Sequence, residues 1–82
     1  MTFEISWDEE ALKNLEKLDI LLRKRIVKKI EQFADSGSFH EVKRIQGYEH
    51  SYRLRVGHYR IIFKLEKNEI IILKFGHRKN IY

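Results

Sequence analysis

Eighty-two residues allow one domain, and a chain of this size buries only roughly 60% of the surface that its unfolded form exposes. With 43% hydrophobic residues and no proline the composition is that of a globular domain, and the lack of cysteine excludes a disulfide scaffold, a thiolate zinc finger and a cysteine nucleophile together. The net charge of +5 is uneven: residues 1–41 carry seven Lys or Arg against nine Asp or Glu, residues 42–82 ten against three, so the positive field belongs to the second half and suits a phosphate-bearing or acidic partner.

The opening MTFEISWDEEALKNLEK holds no apolar run long enough for a signal peptide, and no stretch of ~18 apolar residues follows it. A cytoplasmic protein without membrane contact is expected. Phe3, Ile5 and Trp7 alternate with polar residues, the period of a short half-buried strand. Ser6 or Asp8 then offers an N-cap, and Asp8, Glu9 and Glu10 suit the positive first turn of a helix. Leu12, Leu15 and Leu18 carry that helix to about Asp19, and Leu22, Ile26, Ile30 and Phe33 define a second, stopped by Ser36-Gly37-Ser38. Arg23, Arg25, Lys28 and Lys29 cover its other faces and read as solvent-facing, with a secondary RNA contact as the alternative.

A short strand is expected from Val42 to Gln46, with a turn at Gly47. Tyr52, Leu54 and Val56, then Tyr59, Ile61, Phe63 and Leu65, alternate with polar residues around Gly57-His58, a two-residue connection suited to a tight hairpin. Glu69 to Gly76 is a further strand, and His77 to Tyr82 a short tail. The fold class is α+β in two layers: an N-terminal strand, a helical hairpin, and a three- to four-stranded antiparallel sheet.

Counting outwards from the turn pairs Val56 with Tyr59, Leu54 with Ile61 and Tyr52 with Phe63 on the helix side, and Arg55 with Arg60 on the other, with Arg53 one step along. Opposed Cβ atoms lie ~4.5–5.5 Å apart, so guanidinium groups crowd one patch at a repulsive cost unless an anion sits there. A three-residue loop at Lys67 to Glu69 would place Ile71, Leu73 and Phe75 in the core and Lys74 beside the arginines; a two-residue loop would bury Lys74. Arg78, Lys79 and Tyr82 lie within reach of the same patch. Basic strand faces are commonly just solvated; the concentration of arginine, shaped for bidentate phosphate contacts, argues for a site. His40, His50, His58 and His77 lack metal-ligand spacing, so no metal or cofactor is expected; His58 reads as turn decoration and His77 as the histidine nearest the patch.

The order of elements, the opening Asp8-Glu9-Glu10-Ala11-Leu12-Lys13-Asn14-Leu15, the run Tyr52-Arg53-Leu54-Arg55-Val56-Gly57-His58-Tyr59-Arg60-Ile61-Ile62-Phe63 and the ending Phe75-Gly76-His77-Arg78-Lys79-Asn80-Ile81-Tyr82 resemble the RelE/ParE toxin superfamily, and within it RelE-type toxins. The resemblance spans nearly the whole chain and implies a single RelE-like domain over 1–82. It implies a ribosome-dependent endoribonuclease that cuts mRNA in the A site by attack of the ribose 2′-hydroxyl on the adjacent phosphate, without a metal ion, silenced by a cognate acidic RelB-like antitoxin. Arg53 and Arg55 match two basic strand positions where lysines are often found, Arg60 a phosphate-binding arginine, Arg78 the basic residue after the last strand, and Tyr82 the terminal tyrosine. These five are the expected catalytic set, with Lys74, His77 and Lys79 as RNA contacts. Arginine at 53 and 55 departs from the family in one chemical respect, since a guanidinium does not accept a proton. Two rivals share the scaffold: a ParE-like toxin acting on DNA gyrase, and a basic RNA-binding module without chemistry.

Overall fold

The computed structural model describes residues 3–36, 42–45 and 51–79. Strand β1 (Glu4–Trp7) leads into α1 (Glu9–Glu16) and α2 (Ile20–Ser36), followed by β2 (Val42–Arg44), β3 (Ser51–Val56), β4 (Tyr59–Glu66) and β5 (Glu69–His77). The sheet has five strands in the order β1-β5-β4-β3-β2. It exceeds the expected three or four because β1 joins it, parallel to β5, while every other pairing is antiparallel.

Both helices lay apolar stripes on one face of this sheet. From α1 and α2 come Ala11, Ile26, Ile30, Phe33 and Ala34; from the sheet come Leu54, Val56, Ile61, Phe63, Ile70, Ile72 and Phe75. Phe63 is at the centre, its ring 5.3 Å from Phe33 and 5.7 Å from a stacked Tyr52, and Trp7 meets Phe75 edge-on at 6.3 Å. On α1 the stripe differs from expectation. Ala11, Leu15 and Leu18 face inward, whereas Leu12 is 46% exposed. A short helix held close to the sheet takes the small alanine at its contact point and turns the neighbouring leucine out.

The corner between the helices is closed by polar contacts. The Asp19 carboxylate caps α2 by accepting from the Leu22 N–H at 3.0 Å, and Arg23 Nη2 donates to the Leu18 carbonyl at 3.3 Å and the Glu16 carbonyl at 3.5 Å. Arg23 is therefore spent on the end of α1. Asn14 does similar work against the sheet: β1 covers β5 only as far as Ile72, and the Phe75 N–H beyond it donates to Asn14 Oδ1 at 2.9 Å. Asn14→Leu would leave that partly buried donor without its acceptor, and is expected to cost about 1–3 kcal/mol, read as a lower urea midpoint at unchanged slope.

β5 is where sequence counting goes wrong. Glu66 pairs with Glu69, so the connection is two residues, Lys67-Asn68, with Lys67 in the left-handed region at φ 55°, and the buried residues are Ile70 and Ile72, not Ile71 and Leu73. The expected consequence, a buried Lys74, does not follow. A β-bulge intervenes: Phe63 pairs with Ile72 but Ile62 with Lys74, so Leu73 is the extra residue. It restores the alternation, putting Phe75 in the core and Lys74 out beside Ile62. Among the described residues no helix is long and apolar enough to cross a membrane.

Candidate functional site

The β3–β4 hairpin has the predicted register, with Val56 opposite Tyr59, Arg55 opposite Arg60, Leu54 opposite Ile61 and Tyr52 opposite Phe63. Gly57 takes a φ of +59°, which a side chain would strain, and this lets a two-residue connection close the hairpin. Pairing across the sheet generates two rows on the face turned away from the core. One runs Arg55, Arg60 and Gly76; the next runs Lys43, Arg53, Ile62 and Lys74.

Arg53, Arg55 and Arg60 line a cavity of about 750 Å³ at the hairpin end. Arg60 is held at its head by the turn, Nη1 donating to the Tyr59 carbonyl at 3.2 Å and the Gly57 carbonyl at 3.4 Å. This fixes one edge of the guanidinium and leaves its remaining donors for a ligand. α2, packed on the other face of the sheet, also reaches this cavity, which Arg25, Lys28, Lys29 and Gln32 line, and β2 adds Lys43. Three of the four helix cations assigned to solvent, Arg25, Lys28 and Lys29, thus complete the site together with Gln32. Their spacing, i, i+3, i+4, i+7, is one helical stripe shifted by a residue from the buried Ile26, Ile30 and Phe33, and that offset was the available signal.

The remaining expected residues are placed apart from this cavity. Lys74 is exposed on the arginine face, across Ile62 from Arg53. His77 pairs with Tyr59 in the row that includes Val56, so its register belongs to the helix side, unlike that of the arginines. Its ring stacks on His58 at 5.9 Å, meets Tyr59 edge-on at 5.7 Å, and accepts the Lys79 N–H at Nδ1 at 3.3 Å. His58 is a stacking partner rather than a turn decoration. Arg78 and Lys79 are exposed just past β5, and the Arg78 N–H donates to the His58 carbonyl at 2.7 Å, which ties the start of the tail to the hairpin turn. Tyr82 lies outside the described residues, as do His40, Gly47 and His50. Among the described residues no three His, Asp or Glu side chains gather as a metal ion would need.

A cleft with seven cations on its walls can hold a polyanion and stabilise charge developing on it, because guanidinium and ammonium groups are positioned before the ligand arrives.

Comparison with known proteins gives the scaffold a family. A family model described as the ParE toxin of the type II toxin-antitoxin system parDE matches residues 5–82. The chain is 39% identical over 75 residues to Toxin RelE3 of Methanocaldococcus jannaschii, a match covering 87% of this chain and 85% of that protein. Among solved structures it is similar to the RelB-RelE antitoxin-toxin complex from Methanococcus jannaschii, with a TM-score of 0.77, 35% identity and 94% of both chains covered. The archaeal RelE-RelB complex from Pyrococcus horikoshii matches at a TM-score of 0.80 over 98% of this chain and 99% of that one, where 23% identity shows likeness of fold.

Proposed function

Because this chain belongs to the RelE/ParE superfamily of type II toxin-antitoxin toxins, we propose that it is the toxin of such a pair, a ribosome-dependent endoribonuclease folded as one RelE-like domain over residues 1–82. The observation that carries this reading is the convergence of Arg53, Arg55 and Arg60 on one cleft wall. In the reaction, a ribose 2′-oxygen bonds to the adjacent phosphorus, the bond to the 5′-oxygen breaks, and a 2′,3′-cyclic phosphate remains on the upstream fragment. The 2′-hydroxyl proton leaves and the departing 5′-oxygen gains one. Such a reaction needs in-line placement and stabilisation of the equatorial oxygens, and fixed guanidiniums supply both without a cofactor or metal. Arg60 clamps the scissile phosphate and Arg53 and Arg55 hold the backbone and the transition state. Arg78 is a second clamp, its own N–H fastened to the hairpin turn, and Tyr82 orients the nucleophile or stacks on a base. Lys74, His77 and Lys79 make further RNA contacts.

The partners on this reading are the ribosome with its mRNA in the cytoplasm and a cognate, acidic RelB-like antitoxin, since the similar structures are RelB-RelE complexes. An acidic segment suits a basic surface by charge. One observation favours a second reading, poisoning of DNA gyrase: the matching family model is described as a ParE toxin. Primer extension on mRNA after induction separates the two. Discrete breaks inside codons are expected; DNA damage with intact message would place the chain with gyrase poisons.

A further inference from the structure

Four cations in the cleft, Arg25, Lys28, Lys29 and Lys43, have no place in the chemistry just described. Arg25 and Lys28 stand one turn apart on α2 and line the same cavity as Arg53, Arg55 and Arg60. Among the described residues neither has a carboxylate partner, while Lys13 is paired with Glu9 and Lys64 with Glu66. Arg25 lies against the hairpin turn: its Nη2 would be 3.3 Å from a Cβ added at Gly57, whose carbonyl accepts from Arg60. Guanidiniums from two layers of the fold thus both reach Gly57, one beside its Cα and one at its carbonyl. Like charges held this near one another repel, and the arrangement is relieved by an anion spanning both walls.

We propose that α2 is the second wall of a groove for single-stranded RNA, with Arg25 and Lys28 gripping the backbone phosphates that flank the one held by Arg60. This rests on the reading of the cleft as an RNA site and adds the form of the ligand: an extended strand of several nucleotides that runs along the cavity from the strand arginines to the cations of α2, recognised through its backbone. A cavity of about 750 Å³ is ample for more than one nucleotide unit. Phosphate contacts of this kind set register and affinity and carry no base preference. The two walls divide the work, the strand arginines acting on the scissile group and the helix cations on its neighbours.

The test is binding of a fluorophore-labelled oligouridylate to the full chain, followed by fluorescence anisotropy over a series of salt concentrations. Each cation that meets a phosphate of a single strand contributes about 0.7 to the slope of log K against log salt. The double variant Arg25→Gln, Lys28→Gln, which keeps good helix formers at both positions, is expected to bind more weakly and lower the slope by about 1.4. The control Lys13→Gln, Lys17→Gln on α1 is expected to leave it unchanged, and circular dichroism checks that both variants are folded. An unchanged slope in the α2 variant overturns the proposal while leaving the cleavage reading standing. Wild type that fails to bind the strand overturns it as well, with cleavage in a translating extract still deciding the reaction independently. If the α2 variant loses an acidic peptide but keeps RNA, the wall belongs to a protein partner and the proposal is wrong.

Discussion

Arg60→Ala is expected to reduce mRNA cleavage in a translating extract by about 10²–10³-fold, the loss seen when one preorganised donor to a developing oxyanion is removed. Nothing in the packing compensates. Arg60 is the clamp whose orientation is fixed by two turn carbonyls, and its cross-strand partner Arg55 starts from the neighbouring strand. Arg60→Lys keeps the charge but loses the planar fork, so it should recover only part of the rate. The side chain is outside the hydrophobic layer, so the Ala variant should unfold at a urea concentration close to that of wild type. Cleavage at the wild-type rate in Arg60→Ala would remove the residue from the reaction.

Phe63→Ala should give the largest effect on stability. Phe63 is fully buried, packed on Phe33 and stacked with Tyr52, and it joins the helix layer to the middle of the sheet. Truncating a buried phenylalanine costs about 3–5 kcal/mol, comparable with the whole stability that the core of so small a chain supplies. The variant should lack a cooperative thermal transition at room temperature, whereas Phe63→Leu should retain one with a lower midpoint. A Phe63→Ala protein that melts within a few degrees of wild type would mean that the core is centred elsewhere.

How far the fold was legible in the sequence varied with the kind of signal. Gly57-His58 is a local device with a fixed residue count, and strict alternation on both sides of it left one register open, which the β3–β4 pairing follows residue by residue. β5 has alternation too, but the bulge at Leu73 changes its phase midway, and EIIILKF has apolar residues in both phases, so no pattern marks the step. Two errors offset each other there: the wrong loop length, combined with no bulge, still put Lys74 and Phe75 on their correct sides. The α2 wall was harder to see for a different reason. Helical periodicity reveals which stripe is buried but says nothing about what lies beside the stripe next to it, and only the folded arrangement brings Arg25 and Lys28 to the cavity that the strand arginines line. His77 was assigned by its proximity in sequence to Arg78; its register with Tyr59 turns it to the stack with His58.

The parallel contact between β1 and β5 has a kinetic meaning. The first strand of the chain finds its hydrogen-bonding partner only in the last, with Ile5 beside Ile70 and Trp7 beside Ile72, and pairings between such distant segments form slowly because a long loop must close first. A nascent chain emerging N-terminus first presents β1 and the two helices long before the strand that seats them exists. Completion of the sheet therefore waits until β5 has left the machine that makes the chain, long after β1 has done so.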